Sequence, residues 1–225
     1  MHYLGLALYA EGRTDQRFLG PILRRLCGEV CAESPRPVEI NDEILMLSDT
    51  QESKTERRAE RVLSAARHAQ GAWSLLFVHA DADGDAIKAR QERVQPALDR
   101  LRGAFDQRVC QSVAVIPVQT TESWLVCDGA ALRQALGTTL DDKALGLPAS
   151  AKAAERLADP KACLEAAFRA SHAGGRRRPL ATVHARLGAL GEQVALHRLR
   201  QLVAFQGLES ELRQALQAMG VLDPT

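Results

Sequence analysis

Three carboxylates fall within five residues at Asp81-Ala82-Asp83-Gly84-Asp85, directly after the apolar run Leu75-Leu76-Phe77-Val78-His79-Ala80. On an extended segment, side chains at i and i+2 point to the same side. Asp81 and Asp83 at a strand end therefore bring two anions together, an arrangement that needs a cation or a shared proton between them. Mg²⁺ takes oxygen ligands, binds through few carboxylates and keeps waters for substrate phosphates, so the chemistry indicated is phosphoryl chemistry. Two further acids follow apolar runs of strand length: Glu11 after Tyr3–Ala10 and Glu122 after Val113–Val118. Ligands of open parallel sheets bind outside the carboxyl ends of the strands, so Glu11, Asp81, Asp83 and Glu122 are expected on one rim. Asp85 reads as a helix cap first and a ligand second.

The elements that must position these acids follow from periodicity. Strands are expected over Tyr3–Ala10, Glu39–Leu47, Ser74–Ala80 and Val113–Val118. Between the first two lies a helix capped by Thr14, with Phe18, Ile22, Leu26 and Val30 on its apolar face. Ser53 and Glu56 match an S-x-x-E capping box, opening a helix with Ala59, Val62, Leu63 and Ala66 inside and its Arg and Glu residues solvated. A long helix is expected from Asp85 to about Gln107. Strands alternating with helical patterns indicate parallel βαβ units, hence an α/β fold with a four-stranded parallel sheet and flanking helices. Beyond Val118 only helical periodicity remains. The division expected is an α/β domain over 1–136 and an all-helical C-terminal region over 137–225, packed on or beside it.

Composition narrows the function classes. A formal net charge of +1 over 225 residues gives no general attraction to nucleic acid or anionic membranes, so any basic surface must be local. Such a stretch occurs at Gly174-Gly175-Arg176-Arg177-Arg178, and from Lys161 onward nine Lys/Arg face five Asp/Glu. No apolar run approaches the roughly 20 residues that span a bilayer. Glu11 follows the apolar Met1–Ala10 directly and no basic segment precedes it, so a cytoplasmic location is expected. The five cysteines form no C-x-x-C pair and read as buried thiols in a reducing compartment. His68, His79, His172, His184 and His197 show no ligand spacing and read as packed or surface residues, as Trp124 and the first-strand Tyr3 and Tyr9 read as packing.

Two motif classes fit the aspartate cluster poorly. A calcium EF-hand loop has a glycine where Ala86 stands and follows a helix rather than a strand. The D-x-D-G-T motif of haloacid-dehalogenase-like phosphatases follows the first strand and ends in Thr where this chain has Asp85. A closer likeness rests on Ala10-Glu11-Gly12-Arg13-Thr14-Asp15 after the first strand and Asp81-Ala82-Asp83 after the third, about seventy residues apart with an α-β-α pattern between. In this the chain resembles the Toprim domain of topoisomerases, primases and several nucleases. Together with Ile116-Pro117 and Glu122-Ser123-Trp124, it is similar to small bacterial Toprim-like proteins related to the nuclease half of OLD-type (overcoming lysogenisation defect) enzymes. The likeness covers roughly residues 1–130. Gly84-Asp85 replaces the topoisomerase continuation, and no nucleophilic tyrosine has a recognisable context.

The resemblance implies a Mg²⁺- or Mn²⁺-dependent nuclease using one or two ions, in phage defence or nucleic-acid processing. Asp81 and Asp83 would bind metal, Glu11 would act as general acid/base or complete the site, and Asp85 and Glu122 would serve a second ion. Arg176, Arg177 and Arg178, with Lys88 nearer the metal, would hold a DNA or RNA backbone by charge. Because OLD-type enzymes join their Toprim to an ATPase and this chain has no P-loop pattern, a separately encoded ATPase is an expected partner; an oligomer is also compatible. The rival readings are a non-catalytic module whose acidic rim docks a basic partner, and a phosphatase of small phosphoesters.

Overall fold

The computed structural model describes residues 1–171 and 181–224, so the Arg176–Arg178 stretch lies outside the described residues. Its centre is a four-stranded, wholly parallel sheet in the order β4 (Leu45–Leu47), β2 (Leu6–Tyr9), β5 (Leu75–His79), β6 (Gln111–Val115). A second, two-stranded parallel sheet pairs β1 (His2–Leu4) with β3 (Val38–Ile40). Every residue of β2 and β5 is buried, because helices cover both faces. Leu6, Leu8, Leu75, Phe77, Val113 and Val115 pack with α1 (Arg13–Cys31) and later helices. The alternate residues Ala7, Tyr9, Leu76, Val78 and Ala114 pack with α2 (Arg58–His68) and α4 (Gln95–Ala104). Continuous apolar strands between two helical layers are the mark of a parallel sheet.

The two edge pieces arise from splits that periodicity did not reveal. The expected first strand divides at Gly5, where a Cβ would meet the Ala72 carbonyl oxygen at 2.7 Å. That close approach turns β1 out of the main sheet and leaves Tyr3 exposed rather than packed. The expected second strand divides near Asn41, whose side-chain oxygen accepts the Leu6 N–H at 2.9 Å. The S-x-x-E capping box does not form either: Glu56 N–H donates to the Ser53 carbonyl in a turn, and α2 starts only at Arg58. The expected helix from Asp85 breaks into α3 (Ala86–Ala89), a π-helical turn over Arg90–Val94, and α4. Pro96 has no N–H to return to the carbonyl four residues back, and Gln95 N–H reaches back five residues to Arg90.

After β6 the described chain is helical: α5 (Glu122–Leu125), α6 (Gly129–Leu136), α7 (Ala151–Glu155), α8 (Pro160–Ser171), α9 (Ala181–Gln193), α10 (Leu196–Leu199) and α11 (Val203–Ala218). One apolar core runs from Leu4 and Leu8 through α1 to Trp124, Phe168, Phe205 and Leu222. Trp124 is fully buried, edge-on to Phe205 with ring centroids 5.3 Å apart. Helix α11 lies along β6, where Glu211 accepts the outward Ala114 N–H at 3.4 Å and pairs with Arg90. A helix thereby covers an edge that would otherwise offer itself to another strand. All five cysteines are free, Cys27, Cys31 and Cys127 buried and Cys110 and Cys163 half-buried. Among the described residues no helix is long and apolar enough to cross a membrane.

Candidate functional site

In this sheet β2 comes first, β4 is added on one side, and β5 and β6 on the other. The order reverses between β2 and β5, and the crevice outside the carboxyl ends at such a switch point is where open α/β sheets bind ligands. Tyr9 pairs with Val78, so Glu11 and Asp81 leave adjacent strand ends at this point. Helix α1 begins just beyond, with Gly12 as its N-cap and Asp15 in its first turn. A Cβ on Gly12 would sit 2.9 Å from Asp15 Oδ2. Glycine there makes room for the carboxylate; its backbone (φ −134°, ψ 158°) is open to any residue.

Asp15, His79 and Asp81 each direct one donor atom to a common point, all within 4.8 Å of one another. His79 ends β5, is fully buried, and sets Nε2 3.2 Å from Asp81 Oδ1. Thr121 ties the pair together: its hydroxyl lies 3.1 Å from His79 Nε2, and its N–H donates to Asp81 Oδ1 at 3.1 Å. Burial pushes the Asp15 carboxyl above its usual range; His79 and a hydrogen bond from Thr121 oppose the rise, while the charges of Asp81 and Glu122 add to it. Desolvated acids facing one another are what a cation would relieve. Two carboxylates and an imidazole fit a divalent ion, the oxygens suiting Mg²⁺ or Mn²⁺ and the nitrogen adding tolerance for other transition metals.

The remaining acids surround this triad in different ways. Asp83 does not stay alongside Asp81, because the strand ends first: its φ is +51°, the left-handed region, and Gly84 follows at +90°. Its carboxylate is exposed and takes Arg93 NH2 at 2.8 Å. Glu11 is paired with Arg58 at 3.2 Å. Glu122 stands in the first turn of α5 and lines a small cavity with Asp15, Thr14 and Thr121. Asp85 caps α3, accepting the Lys88 N–H at 2.9 Å, and Lys88 is exposed one turn beyond. The structure thus groups Asp81 with two residues not singled out from sequence, Asp15 and His79, and sets Glu11, Asp83 and Glu122 around them.

Both omissions left a trace in the sequence. His79 stands two before Asp81 on the extended segment, so the alternation applied forward to Asp83 applies backward with better reason. Asp15 is four beyond Glu11, in the first turn of the helix that follows the first strand. Arg58 and Arg93 left no such trace, since charged residues on an amphipathic helix ordinarily face solvent. Comparison of the chain with models of known protein families, with curated proteins and with solved structures finds no match.

Proposed function

We propose that this chain is a Toprim-like, metal-dependent phosphodiesterase acting on nucleic acid. The observation that carries the reading is the convergence of Asp15, His79 and Asp81 at the switch point of a parallel sheet. In this reading those three residues hold a divalent cation, Mg²⁺ or Mn²⁺, with Asp83 and Glu122 available to a second ion or its waters. The bound ion supplies an attacking water of lowered pKa and charge for the leaving oxygen. Glu11, exposed at the rim, accepts or donates the proton, and Arg58 holds its carboxylate in place. Lys88 and Arg176–Arg178 contribute backbone affinity without sequence reading. A separate ATPase partner belongs to the same reading and would show as ATP-dependent stimulation.

Calorimetric titration with Mn²⁺ and Mg²⁺, beside cleavage of plasmid DNA, RNA and a chromogenic phosphomonoester, tests the reading. Metal binding that is lost in Asp81→Ala, with nucleic-acid cleavage lost in Glu11→Gln, is the expected result. Turnover of the monoester alone would make the protein a phosphatase instead. A second reading is favoured by one feature: guanidinium groups already pair with Glu11 and Asp83, as the arginines of a docked basic partner would. Absence of metal binding, with a basic peptide retained in EDTA, would select that module and end the enzyme reading.

A further inference from the structure

Arg58 is the least explained charge in the α/β half. It is the first residue of α2, yet its side chain is only 17% exposed and turns under the rim, over the Tyr9 ring at 5.5 Å. Burial lowers its pKa, which its charged and carbonyl partners must offset. All three of its nitrogens are committed. NH1 pairs with the Glu11 carboxylate at 3.2 Å, NH2 donates to the His79 carbonyl, and Nε donates to the Arg93 carbonyl at 3.1 Å. Arg93, in the π-helical turn, passes the connection on: NH1 donates to the Asp81 carbonyl at 2.9 Å and NH2 to Asp83 Oδ2 at 2.8 Å. π-Helical turns interrupt α-helices most often at functional sites.

These contacts meet at the residues the function would need fixed. The carbonyls of His79 and Asp81 belong to the segment where β5 gives way to the left-handed Asp83, and the carboxylates are those of Glu11 and Asp83. A planar fork with donors on three sides can hold one carboxylate and two carbonyls at once, which an ammonium cannot do with fixed geometry. We infer that Arg58, acting through Arg93, is a positioning residue that sets Glu11, Asp81 and Asp83 for metal-dependent cleavage. The catalytic half of this inference rests on the phosphodiesterase reading; the bracing half stands on the hydrogen bonds alone.

The experiment separates the two. Arg58→Met and Arg58→Lys are compared with wild type and with Arg61→Lys, a neighbour on α2 that pairs with Asp49 instead. Amide hydrogen exchange, without metal, reads the 80–84 segment through Ala80, Ala82, Asp83 and Gly84, whose N–H groups bond to carbonyls of Val115 to Gln119. In Arg58→Met this segment exchanges roughly tenfold or more faster, the scale of one lost charge-assisted hydrogen bond, while the core strands are unchanged. Mn²⁺-dependent cleavage then shows kcat falling on the order of a hundredfold, the effect of an ångström-scale misplacement, with KM for DNA nearly constant. Arg58→Lys restores part of both losses and Arg61→Lys alters neither. Wild-type exchange at 80–84 in Arg58→Met overturns the brace whatever the enzyme does. Faster exchange in a protein whose wild type neither binds Mn²⁺ nor cuts DNA or RNA keeps the brace and overturns the catalytic role.

Discussion

Two sets of acids in this molecule meet opposite fates. In the helical half, Asp128 and Glu155 are each about 6% exposed, and both oxygens of each accept backbone N–H groups. Asp128 takes Ala130 and Ala131 with one oxygen and Ala195 with the other; Glu155 takes Val203 and Ala204 at 3.0 and 2.9 Å, closing the start of α11. At the sheet rim, Asp15 and Asp81 face an imidazole and each other, while Glu11 and Asp83 each face a guanidinium group. A buried carboxylate whose two oxygens already accept backbone N–H groups is compensated without a ligand. One left beside another acid at a strand end is not. Satisfaction by the backbone, more than burial or charge, separates the acids that build this fold from those that can do chemistry in it.

Substitutions break or sharpen that contrast in order of size. Asp81→Ala is expected to lower Mn²⁺ affinity by more than about a hundredfold, beyond the 10- to 100-fold that loss of a mere supporting residue brings. Its melting temperature should stay within a few degrees of wild type. Calorimetry and a thermal melt measure both, and collapse of the fold would move Asp81 into the structural set. Glu155→Ala should do the reverse, costing about 3 kcal/mol because two buried amides at the start of α11 lose a charged acceptor. In a chain of this size that is roughly 6–12 °C in Tm, with Mn²⁺ affinity untouched. A Glu155 variant that melts normally would dissolve the contrast from the other side.

The titration of Asp15 gives the next test. Its folded-state pKa is raised, chiefly by burial, above the ordinary 3.8. Between the unfolded and folded values the native state binds more protons than the unfolded state, so stability falls as pH rises through that window. The stabilising contribution is complete below the unfolded value and is lost on passing through the folded one. Asp15→Asn removes this dependence. Without metal, the variant should therefore melt higher than wild type at neutral pH, and the gap should close as the pH falls toward 3.8. Added Mn²⁺ should stabilise wild type and do less for the variant, reversing the order. A metal-free Asp15→Asn that melts below wild type at pH 7 would show its carboxylate to be structural.

Much of this arrangement could be read before any coordinates. The apolar run ending in His79, the fourfold spacing of Phe18, Ile22, Leu26 and Val30, and the cap at Asp85 each act locally, and each forms as expected. What escaped depends on distant chain. Gly5 splits a strand because of a carbonyl 67 residues away, and Arg58 turns inward for carbonyls contributed by β5 and the π-helical turn. Asp83 is the instructive case. Alternation holds only while the chain stays extended, and a residue at φ +51° has already left the strand. Inward of Asp81 the chain is still extended, and there the same alternation sets His79 beside it.

The smallest expected effect isolates geometry from charge. Gly12→Ala adds one methyl group 2.9 Å from Asp15 Oδ2, and nothing titratable changes. Replacing glycine reduces unfolded-chain entropy by about 0.4–1 kcal/mol in favour of the fold. Alanine is also a poorer N-cap than glycine by a similar amount. The two offset one another, so Tm should move by only a degree or two on the scale of a few degrees per kcal/mol. The carboxylate must nevertheless swing aside, and Mn²⁺ affinity should fall by about threefold to tenfold, less than 1.4 kcal/mol. If affinity is unchanged while Asp15→Asn abolishes binding, the carboxylate reaches the ion from another rotamer, and the space that Gly12 leaves has no part in setting the site.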